Sequence, residues 1–416
     1  MPTQFVGFYL SAMIIKRTDP RYPRQGPSCL LVIFVLFGIA VGIFVISNRD
    51  EVRNVIIPTP TPEPTRSATE FAMLAKLSQD DGEYIPAIEY YENAVRLDAT
   101  KPQFFIDLIN LLVKTGQPER ALEVAEQASI LAPENDSVWT AVAAAHIANG
   151  DRLYDLGDPP GANLQYAQAR QAADKAIDIN PENATAYAYA AAGWVLPGEP
   201  ENYTVAQEMA DLAVTVDPEN PIARYYMATV LDYQGYYEAA RDNYFIGLNA
   251  DPTNANLLIG LAYNFFGTGN IPEAITYFDD AIKANPNNAA AYDGLAYMYI
   301  QLGQDPLAEE NALESVRLNP NVARAQGRLG EAYFRQFKYP NAVVALEHAV
   351  SLYGQATDLN SRFFLMLGNA YIRDSFDNCP KAVPYFEQVI AVSSAWREDA
   401  AASIEECRRA ALEVNP

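Results

Sequence analysis

The sequence predicts an all-α chain in which one transmembrane helix precedes a solenoid of helix–turn–helix repeats. Three observations carry this. The chain of 416 residues repeats itself at a spacing of 34: Ala240, Ala274 and Ala308 recur at that interval and Ala342 continues the series. Pro252, Pro286 and Pro320 keep step with them, and Gly235, Gly269 and Gly303 lie five residues before the first three alanines. Self-similarity at this period is the signature of stacked supersecondary units. Separately, Cys29 to Ile46 is an uninterrupted apolar run of 18 residues.

Composition narrows the classes of function. Acidic residues outnumber basic ones 52 to 29, for a net charge of −23. A nucleic-acid partner needs a basic surface, so none is expected. Two histidines and three cysteines are too few for a multi-ligand metal centre or a dense disulfide framework.

Residues 1–28 form a basic segment with Lys16, Arg17, Arg21 and Arg24 opposed only by Asp19. The apolar run follows, within 29–47. Eighteen residues at about 1.5 Å each span about 27 Å, close to the thickness of a bilayer core. A signal peptide has a shorter apolar core and a small-residue cleavage site, and Ile46-Ser47-Asn48-Arg49 is a poor one. The excess of Lys and Arg before the run places the N-terminus in the cytoplasm and the rest outside it. Residues 1–47 carry +3, which leaves −26 on the exported part. Gly38 and Gly42 have the spacing that lets two membrane helices pair as a homodimer, although glycine is common in such helices in any case.

Residues 48–67 form a linker with prolines at Pro58, Pro60, Pro62 and Pro64. Alternate prolines fix φ and remove donors, so the segment is expected to be an extended spacer. A proline-motif ligand is the sharper alternative, but the readers of such motifs are mostly cytosolic.

Nine units are expected over 68–396: 68–101, 102–135, 136–183, 184–220, 221–254, 255–288, 289–322, 323–356 and 361–396. Each has two apolar-periodic stretches around a glycine-bearing turn. Ala87/Ala94, Ala121/Ala128, Ala169/Ala176, Ala206/Ala213 and Ala274/Ala281 mark the second helices where they cross closely. Ala75, Ala143, Ala191, Ala228, Ala262, Ala296, Gly330 and Gly368 do so in the first. Tyr91, Trp139, Tyr244, Phe278 and Phe386 fill the complementary holes. Gly82, Gly116, Gly150, Gly235, Gly269 and Gly303 are read as left-handed caps ending first helices. Unit 3 has about fourteen extra residues around Asp151–Gly161, expected to protrude from one edge as a passive loop or helix extension. Residues 397–416 read as a polar-faced closing helix and tail.

These motifs resemble the tetratricopeptide repeat (TPR) family. Leu329-Gly330-x2-Tyr333 and Leu367-Gly368-x2-Tyr371 match the first part of its pattern, and Ala274, Phe278, Ala281 and Pro286 match the second. The resemblance implies a TPR superhelix whose first helices line a concave groove for a protein partner. Carried over position by position, the groove comprises Tyr225, Thr229, Asp232 and Tyr233 in unit 5, Asn256, Tyr263 and Phe266 in unit 6, and Asp293 and Tyr297 in unit 7. It continues with Arg324, Glu331, Phe334 and Arg335 in unit 8, and Arg362, Asn369 and Arg373 in unit 9. The middle is aromatic, suited to an extended peptide or a sugar face. Arg324, Arg335, Arg362 and Arg373 suit acidic side chains or a terminal carboxylate of a partner; the alternative is that they neutralise neighbouring acids.

No catalytic role is assigned. His146 and His348 lie several units apart, and HExxH, GxSxG and CxxC motifs are absent from the sequence. No enzyme activity, cofactor or metal is expected. Cys379 and Cys407 fall in neighbouring elements, and two readings stand: a disulfide stapling the end of an exported array, or two reduced thiols. Asn135, Asn183 and Asn202 head Asn-x-Ser/Thr sequons, but repeat-capping explains at least the first two. The expected function is a membrane-anchored, extracytoplasmic scaffold for protein–protein interaction. The alternative is a fixed subunit of a cell-envelope machine for secretion, pilus assembly or polysaccharide export.

Overall fold

A computed structural model describes residues 29–48 and 66–414. The basic segment 1–28 and most of the Pro-rich linker, 49–65, lie outside the described residues. The protein divides into two units, 1–66 and 67–416.

In the first unit, Cys29–Ser47 is one α-helix of 19 residues with no buried side chain. It is long and apolar enough to cross a membrane.

The second unit is all α-helix and 3-10 turn among its described residues. Nine hairpins follow one another. They are Ala68–Asp80 with Tyr84–Leu97, Pro102–Lys114 with Pro118–Leu131, Asp136–Asp155 with Pro159–Ile179, and Ala184–Val195 with Tyr203–Val216. Then come Pro221–Tyr233 with Tyr237–Ala250, Ala255–Gly267 with Ile271–Ala284, and Ala289–Gln301 with Asp305–Leu318. Ala323–Arg335 with Tyr339–Tyr353 and Ser361–Asp374 with Cys379–Val392 complete the series, and Arg397–Val414 closes it.

Local chemistry explains the starts and stops. Asn135, Asn183, Asn254 and Asn288 each accept the backbone N–H three residues on, capping the first helix of their unit. Two of these are sequon asparagines. The amide nitrogen of Asn183 also donates to Asp136, at 2.8 Å, so this side chain is fully engaged. Gly82, Gly116, Gly235, Gly269 and Gly303 all have positive φ, the conformation that ends a helix sharply.

Gly150 departs from that pattern. It lies inside a helix, because unit 3 spends its extra residues on lengthening both helices, to 20 and 21 residues. The left-handed turn moves to Gly157. Gly150 keeps its register for another reason: a Cβ there would meet Cε1 of Tyr166 at 2.4 Å. In unit 8 the turn residue is Phe337, a non-glycine at φ 60°.

The seams are built as the spacing implies. Ala87, Ala94, Ala121, Ala128, Ala169, Ala176, Ala206, Ala213, Ala274 and Ala281 are all buried. Large rings lie over glycines on the facing helix. A Cβ at Gly294 would come within 2.2 Å of the Phe278 ring, and one at Gly368 within 2.4 Å of Phe386. Real side chains do not pack so closely, so residue size fixes the helix spacing.

Candidate functional site: the inner face of the repeats

From unit 2 to unit 6, and again from unit 7 to unit 9, the first helices of successive units touch one another on the inner face of the array. The array also winds back towards itself. One cavity of about 820 Å³ has walls from the turns of units 1 and 2, Gly82–Ile88 and Val113–Gln117, and from units 6–8, including Asn256, Asp293 and Arg324. The extended tip of unit 3 reaches into the same space: Asp155 pairs with Arg324, 169 residues away. The backbone at Gly157 lies so close to the unit 8–9 loop that a Cβ would be 2.9 Å from Thr357 Oγ1 and from Asn360 Nδ2. The insertion therefore does not protrude passively from an edge; it turns inward and crosses the inner face.

Many of the expected groove residues bond to the neighbouring unit. The Asn264 amide donates to Asp232 at 2.6 Å, 32 residues apart. Arg324 Nε donates to Asp293 at 3.0 Å, 31 apart, and Arg362 pairs with Glu331 at the same interval. Ser403 Oγ donates to Asn369 at 2.9 Å, 34 apart. Each pair joins one first helix to the next, or to the closing helix, so these residues hold the stack together.

Asp293 needs correction as a surface residue. It is 2% exposed; its Oδ2 accepts from Arg324 Nε and forms an ion pair with Arg328 at 2.5 Å, while Arg328 Nη1 donates to its backbone carbonyl at 2.8 Å. Asn369 and Arg373 also differ from expectation. Both bond to the closing helix: Asn369 accepts from Ser403, and Arg373, itself still exposed, pairs with Glu406 at 2.9 Å. Arg335 sits at the turn edge and pairs with Asp305 at 2.6 Å. All four arginines thus have a carboxylate neighbour, as one of the two readings of them held. The pairs of Arg335 and Arg373 are exposed, contribute only about 0–1 kcal/mol and leave those guanidiniums available to a competitor, whereas Arg324 and Arg362 are mostly buried against theirs.

The aromatic middle is made of local ring contacts. Tyr225 packs edge-on against Tyr226 at 4.9 Å, and Tyr263 against Phe278 at 5.1 Å. Phe266 meets Tyr297 at 5.3 Å, with Arg328 lying 4.5 Å over the Tyr297 ring. Tyr233 remains 42% exposed, and Asn256 is exposed at the cavity wall. Phe334 packs against Tyr339 at 5.5 Å in its own hairpin.

Electrostatics on the inner face are strongly perturbed. Burial alone would lower the Arg324 pKa, but Asp293 and Asp155 outweigh it and raise it. Burial raises Asp155 despite Arg324. Asp151 is open to solvent on the inner face, yet the surrounding protein raises its carboxyl against a 2.8 Å hydrogen bond from the Tyr166 hydroxyl. His146 contacts Gln165 at 2.8 Å and sits five units away from His348, which is on the surface. Among the described residues no three His, Cys, Asp or Glu side chains come together to hold a metal ion.

At the C-terminal end a disulfide joins Cys379 to Cys407, with Cα atoms 5.7 Å apart. Of the two readings of these thiols, the structure has the bonded one.

Sequence reasoning missed the tip residues Tyr154, Asp155 and Gly157, the buried Arg328, and the loop Gly354–Asn360. The insertion's length was the only signal for the first three.

Comparison with known proteins agrees with this architecture. The tetratricopeptide repeat pattern matches residues 79–145 and 259–321. The photosystem I assembly protein Ycf3 of Synechococcus elongatus is 30% identical over 127 residues, covering 30% of this chain and 73% of that protein. The Cyanophora paradoxa protein of the same name is 27% identical over the same length and shares. Among solved structures, Pseudomonas aeruginosa PilF aligns with TM-score 0.45 and 19% identity, over 53% of this chain and 98% of its own. The APC/C hetero-tetramer Cut9–Hcn1 aligns with TM-score 0.47 and 16% identity, over 87% of this chain and 75% of that one. With nine hairpins in register, the two repeat-pattern matches and a 30% identical relative, the protein belongs to the tetratricopeptide repeat family.

Proposed function

We propose that this protein is a single-pass membrane scaffold whose repeat array lies outside the cytoplasm and holds a protein partner on its inner face. The carrying observation is that inner face: groups of aromatic rings at Tyr225, at Tyr263 and at Phe266 with Tyr297, flanked by arginines, with polar groups spaced along the stack. Such a surface suits an extended segment of protein, with rings giving area and polar groups fixing register. Tyr225, Tyr233, Asn256, Tyr263, Phe266, Tyr297, Arg324 and Arg362 are the residues that line it.

Two features support the anchored, exported topology. The helix Cys29–Ser47 has the length and composition of a membrane span, with Gly38 and Gly42 available for pairing two copies. The Cys379–Cys407 disulfide suits an oxidising compartment. Similarity to photosystem I assembly proteins favours assembly of other subunits as the scaffold's task.

The test is photo-crosslinking in intact cells from Tyr233 on the inner face and from Glu134 on an outer loop. The proposal expects a discrete protein partner from Tyr233 only. Equal labelling from both positions, or none from Tyr233, overturns it. A stoichiometric complex surviving detergent would favour a fixed subunit of an envelope machine over a reversible scaffold. Protease added outside intact cells should cut within 66–416 and spare 1–28; the opposite pattern would reverse the topology.

A further inference from the structure

The tip of unit 3 behaves as a built-in ligand. It contributes Tyr154, Asp155 and Gly157 to a cavity of about 290 Å³ whose other walls come from units 7–9. Those walls hold three guanidiniums, Arg324, Arg328 and Arg362, against two carboxylates of their own, Asp293 and Glu331. One positive charge is left over, and Asp155 meets it. The aromatic part is equally prepared. Tyr353 stacks on Phe363 at 5.9 Å, and Arg362 lies 4.7 Å over the Phe363 ring.

The tip is held lightly. One half-exposed ion pair and the close approach at Gly157 are its attachments to units 8 and 9. Tyr154 remains 45% exposed, so no apolar seal forms. The Thr357 hydroxyl, beneath Gly157, is buried without a hydrogen-bond partner. That seat offers a donor and an acceptor which the glycine cannot use. A ligand with one carboxylate, a neighbouring ring and a further polar group satisfies this wall better than the tip does.

We propose that this cavity is the docking site for an aromatic–acidic segment of a partner protein, and that Tyr154 and Asp155 occupy it until the partner displaces them. The idea rests on the inner face being a protein-binding surface, and it names the partner's chemistry there. It also makes the insertion a competitor: the apparent affinity of the site falls by the fraction of molecules in which the tip is seated.

The test uses the full-length protein in detergent and a labelled synthetic peptide copying residues 153–158, Leu-Tyr-Asp-Leu-Gly-Asp, at about 0.15 M salt. Binding is followed by fluorescence anisotropy. Asp155→Asn removes the tip's charge without shortening it, and should bind the peptide more tightly than the unaltered protein by up to about fivefold. A peptide with its first Asp replaced by Asn should lose that gain, and this arm requires no change to the protein's fold. Arg324→Gln added to Asp155→Asn should also abolish binding. Equal affinity for Asp155→Asn and the unaltered protein, no binding by either, or equal binding of the Asp and Asn peptides would overturn the proposal. Crosslinking from Tyr233 separates the two levels: a crosslinked partner with no peptide response sinks only this inference, whereas no partner at Tyr233 sinks the scaffold reading itself.

Discussion

Removing the Cys379–Cys407 bond should loosen the end of the array and nothing else. The bond joins positions 28 residues apart, and loop-closure entropy for that separation contributes about 3.6 kcal/mol. The other attachments of the closing helix are slight by comparison. The Arg373–Glu406 pair is exposed and contributes about 0–1 kcal/mol, and the Ser403–Asn369 hydrogen bond about 1 kcal/mol. Among the described residues Ala400 and Cys407 are its buried side chains, both small, with Ile404 partly buried beside them. The double variant Cys379→Ser, Cys407→Ser should therefore raise the open population of Arg397–Val414 by up to about 400-fold, at about 1.4 kcal/mol per factor of ten.

Hydrogen exchange read by mass spectrometry on the full-length protein resolves this, because it reports each helix separately. A single melting temperature would not, since a repeat array need not unfold in one step. Peptides from the closing helix should lose most of their protection, those from unit 9 some, and those from units 1, 2 and 4–6 none. Apart from the unit 3 tip at units 8 and 9, repeats feel their neighbours, so the effect must decay along the stack. Unchanged exchange over 397–412 would show that packing, not the bond, holds the closing helix. Loss of protection in unit 1 would show that the stack is not nearest-neighbour coupled, and would refute the energetic reasoning throughout.

Other perturbations give further checks. Gly150→Ala places a Cβ 2.4 Å from the Tyr166 ring and should cost about 1–3 kcal/mol, seen as faster exchange in both helices of unit 3. Phe278→Ala empties a fully buried site between units 6 and 7 and should cost about 3–5 kcal/mol locally, by the same measurement. Burial lowers the His146 pKa, outweighing the Gln165 hydrogen bond that raises it. A folded pKa below the unfolded one means stability present above about pH 6.5 and lost as pH falls. His146→Gln should accordingly shrink the loss of protection in unit 3 between about pH 7.5 and pH 5; an identical loss in variant and parent would contradict it.

The helical stack was legible because its cause is local. Seam residues must be small and their partners large at fixed intervals, so packing writes a period directly into the sequence, as at Ala274, Phe278 and Ala281. The apolar helix was legible for the same kind of reason, since its apolar residues run without a break. Gly150 shows where such reasoning slips. It stands in register with glycines that turn the backbone, but Tyr166 requires a glycine there too, and composition does not distinguish the two demands. The groove residues slip in a related way. A side chain reaching a partner and one reaching the next unit both recur once per repeat. Asp293 therefore carries the period of a surface residue while lying buried between two arginines.

The meeting of Asp155 with Arg324 had no local signal at all. It follows from small rotations between units, added over five steps, which bring the tip of unit 3 round to unit 8. Errors in each rotation add as well, so a contact of this kind is the first to shift when any intervening seam is altered. Phe278→Ala, placed between units 6 and 7, should consequently weaken the hold on the tip without touching it. If peptide binding by Phe278→Ala equals that of the unaltered protein while exchange shows the seam loosened, the tip is seated by its own contacts and the winding of the stack is not what delivers it.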